Sequence, residues 1–399
     1  MRFPDEIQLV FTILQENGYA AFAVGGCVRD FLLGKAPKDY DITTDARPDE
    51  VMRLFKDYPV IPTGIRHGTV TVVINHSPVE ITTFRTEGVY LDNRRPSSVS
   101  FSANIEDDLK RRDFTVNAIA YSPREGFVDL FGGTEDLKNR IIRCVGDAGE
   151  RFGEDALRIL RAIRLASELG FSIEEKTSLG IHQKKELLAK ISRERINAEF
   201  TRILLSGKAA ELIVSYRDVI GVFLPGIAED PGLEEKAGIL ANAEDLYVRL
   251  ALLLDGLAGW RQAEDILRDL KFDGKSILKT AALLRYKNLK VRRGRRHIKL
   301  WLKTAGRNGF FRLLALKGLT EDMEPQKRIA HEVLEQKECY LLKQLAISGK
   351  DLLEEGMCEG TSIGRILDSL LFAVILEKLP NEKLALMEYA KKYMQGSKI

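Results

Sequence analysis

Apolar and polar positions change rhythm along the chain near residue 150. Before that point, runs rich in Val, Ile and Thr at 40–44, 69–75 and 79–84 predict strands. His76-Ser77-Pro78 predicts a hairpin turn between the last two runs. Helical spacing predicts helices over 5–17 and 48–56, the first closed by Gly18. Beyond residue 150 the β-branched runs stop and one helical pattern follows another. Gly170, Gly207, Pro225, Pro231, Gly259, Gly274, Gly294, Gly306, Pro325, Gly360 and Pro380 punctuate it. The pattern predicts an α+β head, a mixed sheet with helices, followed by an elongated all-α remainder. A polar stripe of Asp155, Arg158, Arg161, Arg164 and Glu168 runs along a helix predicted over 154–169.

Composition narrows the class. The 399 residues allow two to four domains, and 45% hydrophobic content suffices for buried cores. No apolar run approaches the roughly 18 residues a membrane-spanning helix needs, and the polar start Met1-Arg2-Phe3-Pro4-Asp5-Glu6 carries no secretory apolar stretch. Cys27, Cys144, Cys339 and Cys358 form no CxxC, so the expected setting is a reducing cytoplasm. The histidines 67, 76, 182, 297 and 331 form no metal-binding pair. An ion bound here is expected to be a hard one held by carboxylates. The net charge of +3, from 61 basic and 58 acidic residues, excludes a polycation but says nothing of local patches.

Chemistry enters at Val24-Gly25-Gly26-Cys27-Val28-Arg29-Asp30. Two glycines permit a close backbone approach to a ligand, and Arg29 offers a fork for phosphate. The alternative is a strand-to-helix turn that needs glycine only for its dihedrals. Lys38-Asp39-Tyr40-Asp41 follows, and on a strand Asp39 and Asp41 face the same side, about 7 Å apart. Such a pair repels itself unless a cation intervenes; Mg²⁺, with water and phosphate completing its shell, suits it. A solvated edge strand is the plainer reading. Gly274-Lys275-Ser276 is no Walker A loop, since Asp269 stands where its first glycine belongs.

Five motifs in order resemble the class II tRNA nucleotidyltransferases, the CCA-adding enzymes, within the polymerase β superfamily; bacterial poly(A) polymerases share the same head. The motifs are Gly25-Gly26-x-x-Arg29-Asp30 with Asp39-x-Asp41; Arg111-Arg112-Asp113-Phe114-Thr115-Val116-Asn117-Ala118; Asp129-Leu130-Phe131-Gly132-Gly133 with Asp136-Leu137 and Arg140-x-x-Arg143; Glu154-Asp155-x-x-Arg158; and Arg193-Glu194-Arg195-Ile196-Asn197-x-Glu199. The resemblance implies a polymerase β-like palm as head (1–143), a helical neck that recognises the base (144–210), a helical body (211–285) and a helical tail for tRNA (286–399). It implies that Asp39 and Asp41 bind two Mg²⁺ ions. Glu80 is the candidate third carboxylate, with a purely structural role as the alternative. Arg112 is assigned to the phosphates and Asp113 to the ribose 2′-hydroxyl. Asp155 and Arg158 become an amino-acid template. Cytosine and adenine both present an amine donor beside a ring-nitrogen acceptor, which an Asp–Arg pair matches and which uracil and guanine oppose. Arg161 and Arg164 would support that pair or the triphosphate.

In the family a flexible loop follows residue 83. Asp92 and Arg95 supply there the acidic–basic pair that favours terminal A addition. From 285 to 308 there are ten Lys or Arg and no acid; Arg292, Arg293, Arg295 and Arg296 are the expected phosphate contacts to the tRNA acceptor end, or else a solvated basic helix. The expectation is template-independent addition of CCA to tRNA from CTP and ATP with release of pyrophosphate. The alternatives are a poly(A) polymerase and an A-adding enzyme that shares the work with a CC-adding partner. No membrane partner is expected, and a homodimer is left open.

Overall fold

A computed structural model describes residues 1–88, 98–356 and 361–394. The chain divides into two compact units, Met1–Ala237 and Gly238–Ile399. This division falls inside the segment expected as a helical body over 211–285.

The first unit begins with α1 (Asp5–Glu16), β1 (Ala21–Val24), α2 (Gly26–Leu32), β2 (Asp41–Thr44), α3 (Pro48–Leu54) and β3 (Val60–Gly64). It continues through β4 (Thr69–Ile74), β5 (Ser77–Thr83), β6 (Arg85–Glu87), β7 (Val99–Phe101), α4 (Ile105–Lys110), β8 (Ile119–Ser122) and β9 (Gly126–Asp129). Seven of these strands form one sheet in the order β3-β4-β5-β2-β1-β8-β9. Every pairing in it is antiparallel except β2 with β5. Alternation explains the sides: Val79, Ile81 and Thr83 of β5 are buried, while Ser77, Pro78 and Glu80 are exposed. Phe22, Val24, Phe84, Leu109 and Ala120 close a core cluster on one side.

Two expected boundaries shift. The strand predicted over 40–44 begins at Asp41, so Asp39 and Tyr40 precede it. The hairpin turn is Asn75-His76, with φ of 48° and 66°, and Ser77 and Pro78 already belong to β5. A two-residue hairpin wants left-handed residues at both turn positions, which proline cannot supply. Pro78 is tolerated because β2 joins β5 only from Glu80 onward, so no neighbour on that side needs its missing N–H.

Then come α5 (Gly133–Asn139), β10 (Ile141–Ile142), α6 (Ala148–Glu154), α7 (Leu157–Leu169), β11 (Ser172–Ile173), α8 (Glu175–Lys184) and α9 (Arg193–Leu204). β10 and β11 pair in parallel, so strand structure persists past residue 150. The helix expected over 154–169 is two helices. Asp155 sits between them in extended conformation (φ −133°, ψ 104°), and its Oδ1 accepts from the Leu157 N–H at 3.0 Å. Gly170 ends α7 with a left-handed φ of 74°, as expected. α10 (Ala209–Ser215), α11 (Arg217–Gly221) and α12 (Leu233–Leu240) follow.

The second unit is helical. It holds α13 (Leu246–Leu254), α14 (Trp260–Asp269), α15 (Gly274–Tyr286), α16 (Arg295–Gly318), α17 (Glu324–Glu335), α18 (Gly349–Glu354), α19 (Thr361–Ile375) and α20 (Lys383–Met394). Gly306 breaks α16 with φ 69° and ψ 166°. Leu352, Ile366, Leu370, Leu371, Ile375 and Leu386 centre its C-terminal core. Among the described residues no helix is long and apolar enough to cross a membrane.

Candidate active site

The first motif folds into a narrow turn between β1 and α2. Gly25 has φ 75°, where an L side chain is strained. A Cβ there would also stand 3.2 Å from Arg112 Nη1 and 3.7 Å from Asp41 Oδ2. Glycine thus lets the backbone lie against a cation and a carboxylate at once. The parallel register of β2 and β5 sets Asp41 directly beside Glu80, on one face. Crowding by protein atoms raises the Asp41 carboxyl above its ordinary value; Arg112 pulls it down and Asp39 pushes it further up. Two hard carboxylates in this setting fit a cation that takes its remaining ligands from water and phosphate. Among the described residues no three carboxylates, imidazoles or thiols converge into a ready-made cage. Strand register sets Glu80 beside Asp41, and Asp39 acts on Asp41 through its charge.

The expected phosphate cations are held in different ways. Arg29 donates to Asp30 (Nη2, 2.7 Å) and to Asn117 Oδ1 (2.9 Å), which ties the first motif to the second. Arg112 donates through Nη2 to Asp108 Oδ2 at 2.9 Å, while among the described residues its buried Nε has no partner. Asp108 is fully buried and also accepts from Arg111 at 2.5 Å. The sequence reading passed over Asp108. Its signal was an acid three and four positions before two arginines, where helix geometry makes side chains meet.

Asp113 is a hub rather than an open acceptor for a sugar. Its Oδ1 accepts from the Phe114 N–H (2.9 Å) and Asn117 Nδ2 (3.2 Å), and its Oδ2 accepts from Arg161 Nε (2.8 Å) and Nη2. Burial alone would raise its carboxyl, but Arg161 and Asn117 hold it at about 2. The arginine stripe of α7 is likewise not a solvated face. Arg158 is buried and donates to Glu154 Oε2 (2.5 Å), the Arg151 carbonyl (3.2 Å) and the Arg111 carbonyl (3.1 Å). Arg164, expected to support the base or the triphosphate, is instead buried in ion pairs with Glu199 (2.5 Å) and Glu168 (2.8 Å). Asp155 accepts from Arg195 Nη2 at 2.9 Å. Asp39, Asp41, Glu80, Gly25 and Arg112 thus meet at the head. Asp113, Asp155, Arg158 and Arg161 meet at the junction with α7.

Residues 21–143 match the Poly A polymerase head domain family, and 242–390 match the tRNA nucleotidyltransferase domain 2 family. The chain is 36% identical over 401 residues to the CCA-adding enzyme of Leuconostoc mesenteroides subsp. mesenteroides, covering 98% of this chain and 96% of that one. The chain belongs to the CCA-adding enzyme family. The CCA-adding enzyme of Geobacillus kaustophilus is 38% identical over 93% of this chain and 92% of its own length. The crystal structure of the Bacillus stearothermophilus CCA-adding enzyme in complex with CTP superposes with a TM-score of 0.80 and 33% identity, covering 99% of this chain and all of that one. A Thermotoga maritima CCA-adding enzyme complexed with tRNA shares the fold, with a TM-score of 0.66 and 22% identity over 98% of this chain and 97% of that one.

Two further expectations for this member of the CCA-adding family meet the structure differently. Asp92 and Arg95 lie outside the described residues. The basic run is largely neutralised by acids from distant segments. Arg295 pairs with Glu332 (3.0 Å) and Glu338 (2.8 Å), Arg296 with Glu377 (2.8 Å), and buried Lys299 with Glu338 (3.1 Å) and Glu377 (3.6 Å). Arg293 lies 3.7 Å from Asp322, both well exposed, and Arg292 is exposed. A stretch without acids in sequence is therefore not one in space. Arg295 and Arg296 join helices through these pairs, although Arg296, like Arg285, Lys290, Arg292, Arg293 and Arg307, remains exposed.

Proposed function

We propose that this chain adds the terminal C, C and A to the 3′ end of tRNA from CTP and ATP, releasing pyrophosphate, without a nucleic-acid template. The carrying observation is full-length likeness to CCA-adding enzymes in a chain that sets Asp41 beside Glu80 in the sheet, with Asp39 just ahead of the strand. Asp39 and Asp41 would hold two Mg²⁺ ions, which would supply activation of the 3′-hydroxyl and charge stabilisation of the triphosphate. Arg112 lies against Asp41 and Gly25, where the phosphates of a nucleotide would pass. Asp155 and Arg158 read the base. Of its roughly four acceptor sites, the Asp155 carboxylate gives two to the Leu157 N–H and Arg195 among the described residues, so it has capacity for an exocyclic amine. Arg158 exchanges part of its hold on Glu154 and the two carbonyls for the ring nitrogen. A tRNA substrate makes the cytoplasm the place of work. The full-length likeness favours CCA addition over a poly(A) polymerase or an enzyme that adds A alone.

The test is incubation with tRNA lacking its CCA, Mg²⁺, and labelled CTP and ATP, singly and together. CTP alone should add two residues, and both nucleotides should give one CCA end. Long tails from ATP alone would overturn the reading. Asp39→Ala with Asp41→Ala should cost at least about a thousandfold in rate, roughly 4 kcal/mol, with tRNA binding retained. Arg158→Ala should relax discrimination against UTP and GTP.

A further inference from the structure

The fifth motif has no chemistry of its own in the reading above, yet α9 lies along α7 in a ladder of charges. Arg195, Glu199 and Arg202 fall at i, i+4 and i+7, one face of α9. They pair in order with Asp155 (2.9 Å), Arg164 (2.5 Å) and Glu168 (2.9 Å). Ser167 and Ser206 add a hydroxyl contact at the far end. Glu199 and Arg164 are both buried, so their rung fixes the lengthwise register of the two helices.

That register decides where the first rung falls. Asp155 lies outside α6 and α7 in extended backbone, so no helical turn dictates its side-chain direction. Two contacts set it: Oδ1 takes the Leu157 N–H, and Oδ2 takes Arg195 Nη2. The first is a local turn contact that any rotation about the Asp155 side chain would break. The second comes from 40 residues away and ties the carboxylate to the rigid ladder. Among the described residues, Arg195 Nη1 is buried with no hydrogen-bond partner.

We infer that Arg195 is the positioning residue for base selection: it aims the Asp155 carboxylate at the exocyclic amine of C or A. This rests on Asp155 reading the base. An aspartate free to rotate still attracts an amine, but it no longer places its oxygen at fixed separation from Arg158. A bidentate base contact derives its discrimination from that fixed spacing. Loss of Arg195 therefore relaxes the choice between bases more than it slows transfer of the correct one.

The experiment measures kcat/KM for CTP and for UTP on tRNA lacking CCA, in wild type, Arg195→Gln, Arg195→Lys, Asp155→Asn, the Arg195→Gln/Asp155→Asn double variant and Arg202→Gln. The CTP-over-UTP ratio should fall about tenfold in Arg195→Gln, within the range of one bidentate base contact. It should fall further in Asp155→Asn, whose amide can also donate to uracil. The double variant should be no less selective than Asp155→Asn. Arg195→Lys, which keeps the charge without the fork, should retain part of the ratio, and it serves as the readout if the glutamine variant unfolds. Arg202→Gln removes another rung of the ladder and should leave the ratio unchanged. If Asp155→Asn lowers the ratio while Arg195→Gln and Arg195→Lys do not, the positioning role is overturned and base reading by Asp155 stands. An unchanged ratio in Asp155→Asn removes the base reading and this inference with it. An equal fall in Arg202→Gln reduces Arg195 to general support of the ladder and also overturns the inference.

Discussion

Replacing Asp113 by Asn removes a buried charge while keeping the shape. The wild-type carboxyl sits at about 2 against an ordinary value of 3.8. At about 1.4 kcal/mol for each pH unit, the difference is worth roughly 2 kcal/mol of stability. The folded value is the depressed one, so the contribution is complete above pH 3.8 and is lost as pH falls toward 2. About 1 kcal/mol of it is already gone at pH 3. Asp113→Asn has no such group. Its stability deficit relative to wild type should therefore shrink by about 1 kcal/mol between pH 7 and pH 3, and every other titration cancels in the difference. Trp260 and Trp301 both lie in the second unit, so tryptophan emission would report on the wrong half of the chain. Urea unfolding followed by hydrogen exchange in peptides covering 105–170 reads the first unit directly. A deficit that stays constant from pH 7 to pH 3 would refute the claim that Arg161 and Asn117 stabilise an ionised Asp113.

Gly133→Ala should lower the stability of the first unit by about 1–3 kcal/mol, because its Cβ would press on the Thr115 carbonyl and come within 2.7 Å of Ile119; a thermal melt matching wild type would contradict this. Charge at 292 and at 296 should behave differently in tRNA binding. Arg292→Glu should weaken binding and reduce the slope of log Kd against log salt by about one. Arg296→Ala should leave that slope unchanged, since its guanidinium already faces Glu377. Equal effects at the two positions would show that the ion pair does not withhold Arg296 from RNA.

What the sequence made legible was local. Alternation in 79–84 reveals which side of β5 is buried, whereas the spacing of Asp39 and Asp41 predicts one strand face for both and only Asp41 lies in β2. The register that brings Glu80 beside Asp41 depends on β2 and β5 pairing in parallel, and no local pattern states that. Asp155 looked helical because the stripe continued through it, but its own side chain caps Leu157 and interrupts the helix. The basic run misled for a similar reason. The acids that neutralise Arg295, Arg296 and Lys299 come from 332, 338 and 377, and they arrive only through helix packing. Arg158 and Arg164 looked solvated because a polar stripe usually is; here other elements supply carboxylates and carbonyls to bury it.

The carbonyl of Arg111 that accepts from Arg158 and the N–H of Arg112 that donates to Leu109 at 3.2 Å belong to one peptide group. That group is planar and resists twisting. It acts as a small rocker plate, gripped at one edge by the arginine assigned to the base and carrying on the other the arginine that lies against Asp41. Arg112 is further held by the Leu109 carbonyl through its N–H and by Asp108 through its guanidinium. A shift of the Arg111–Arg112 peptide plane would therefore be felt at Arg158 and at Arg112 together.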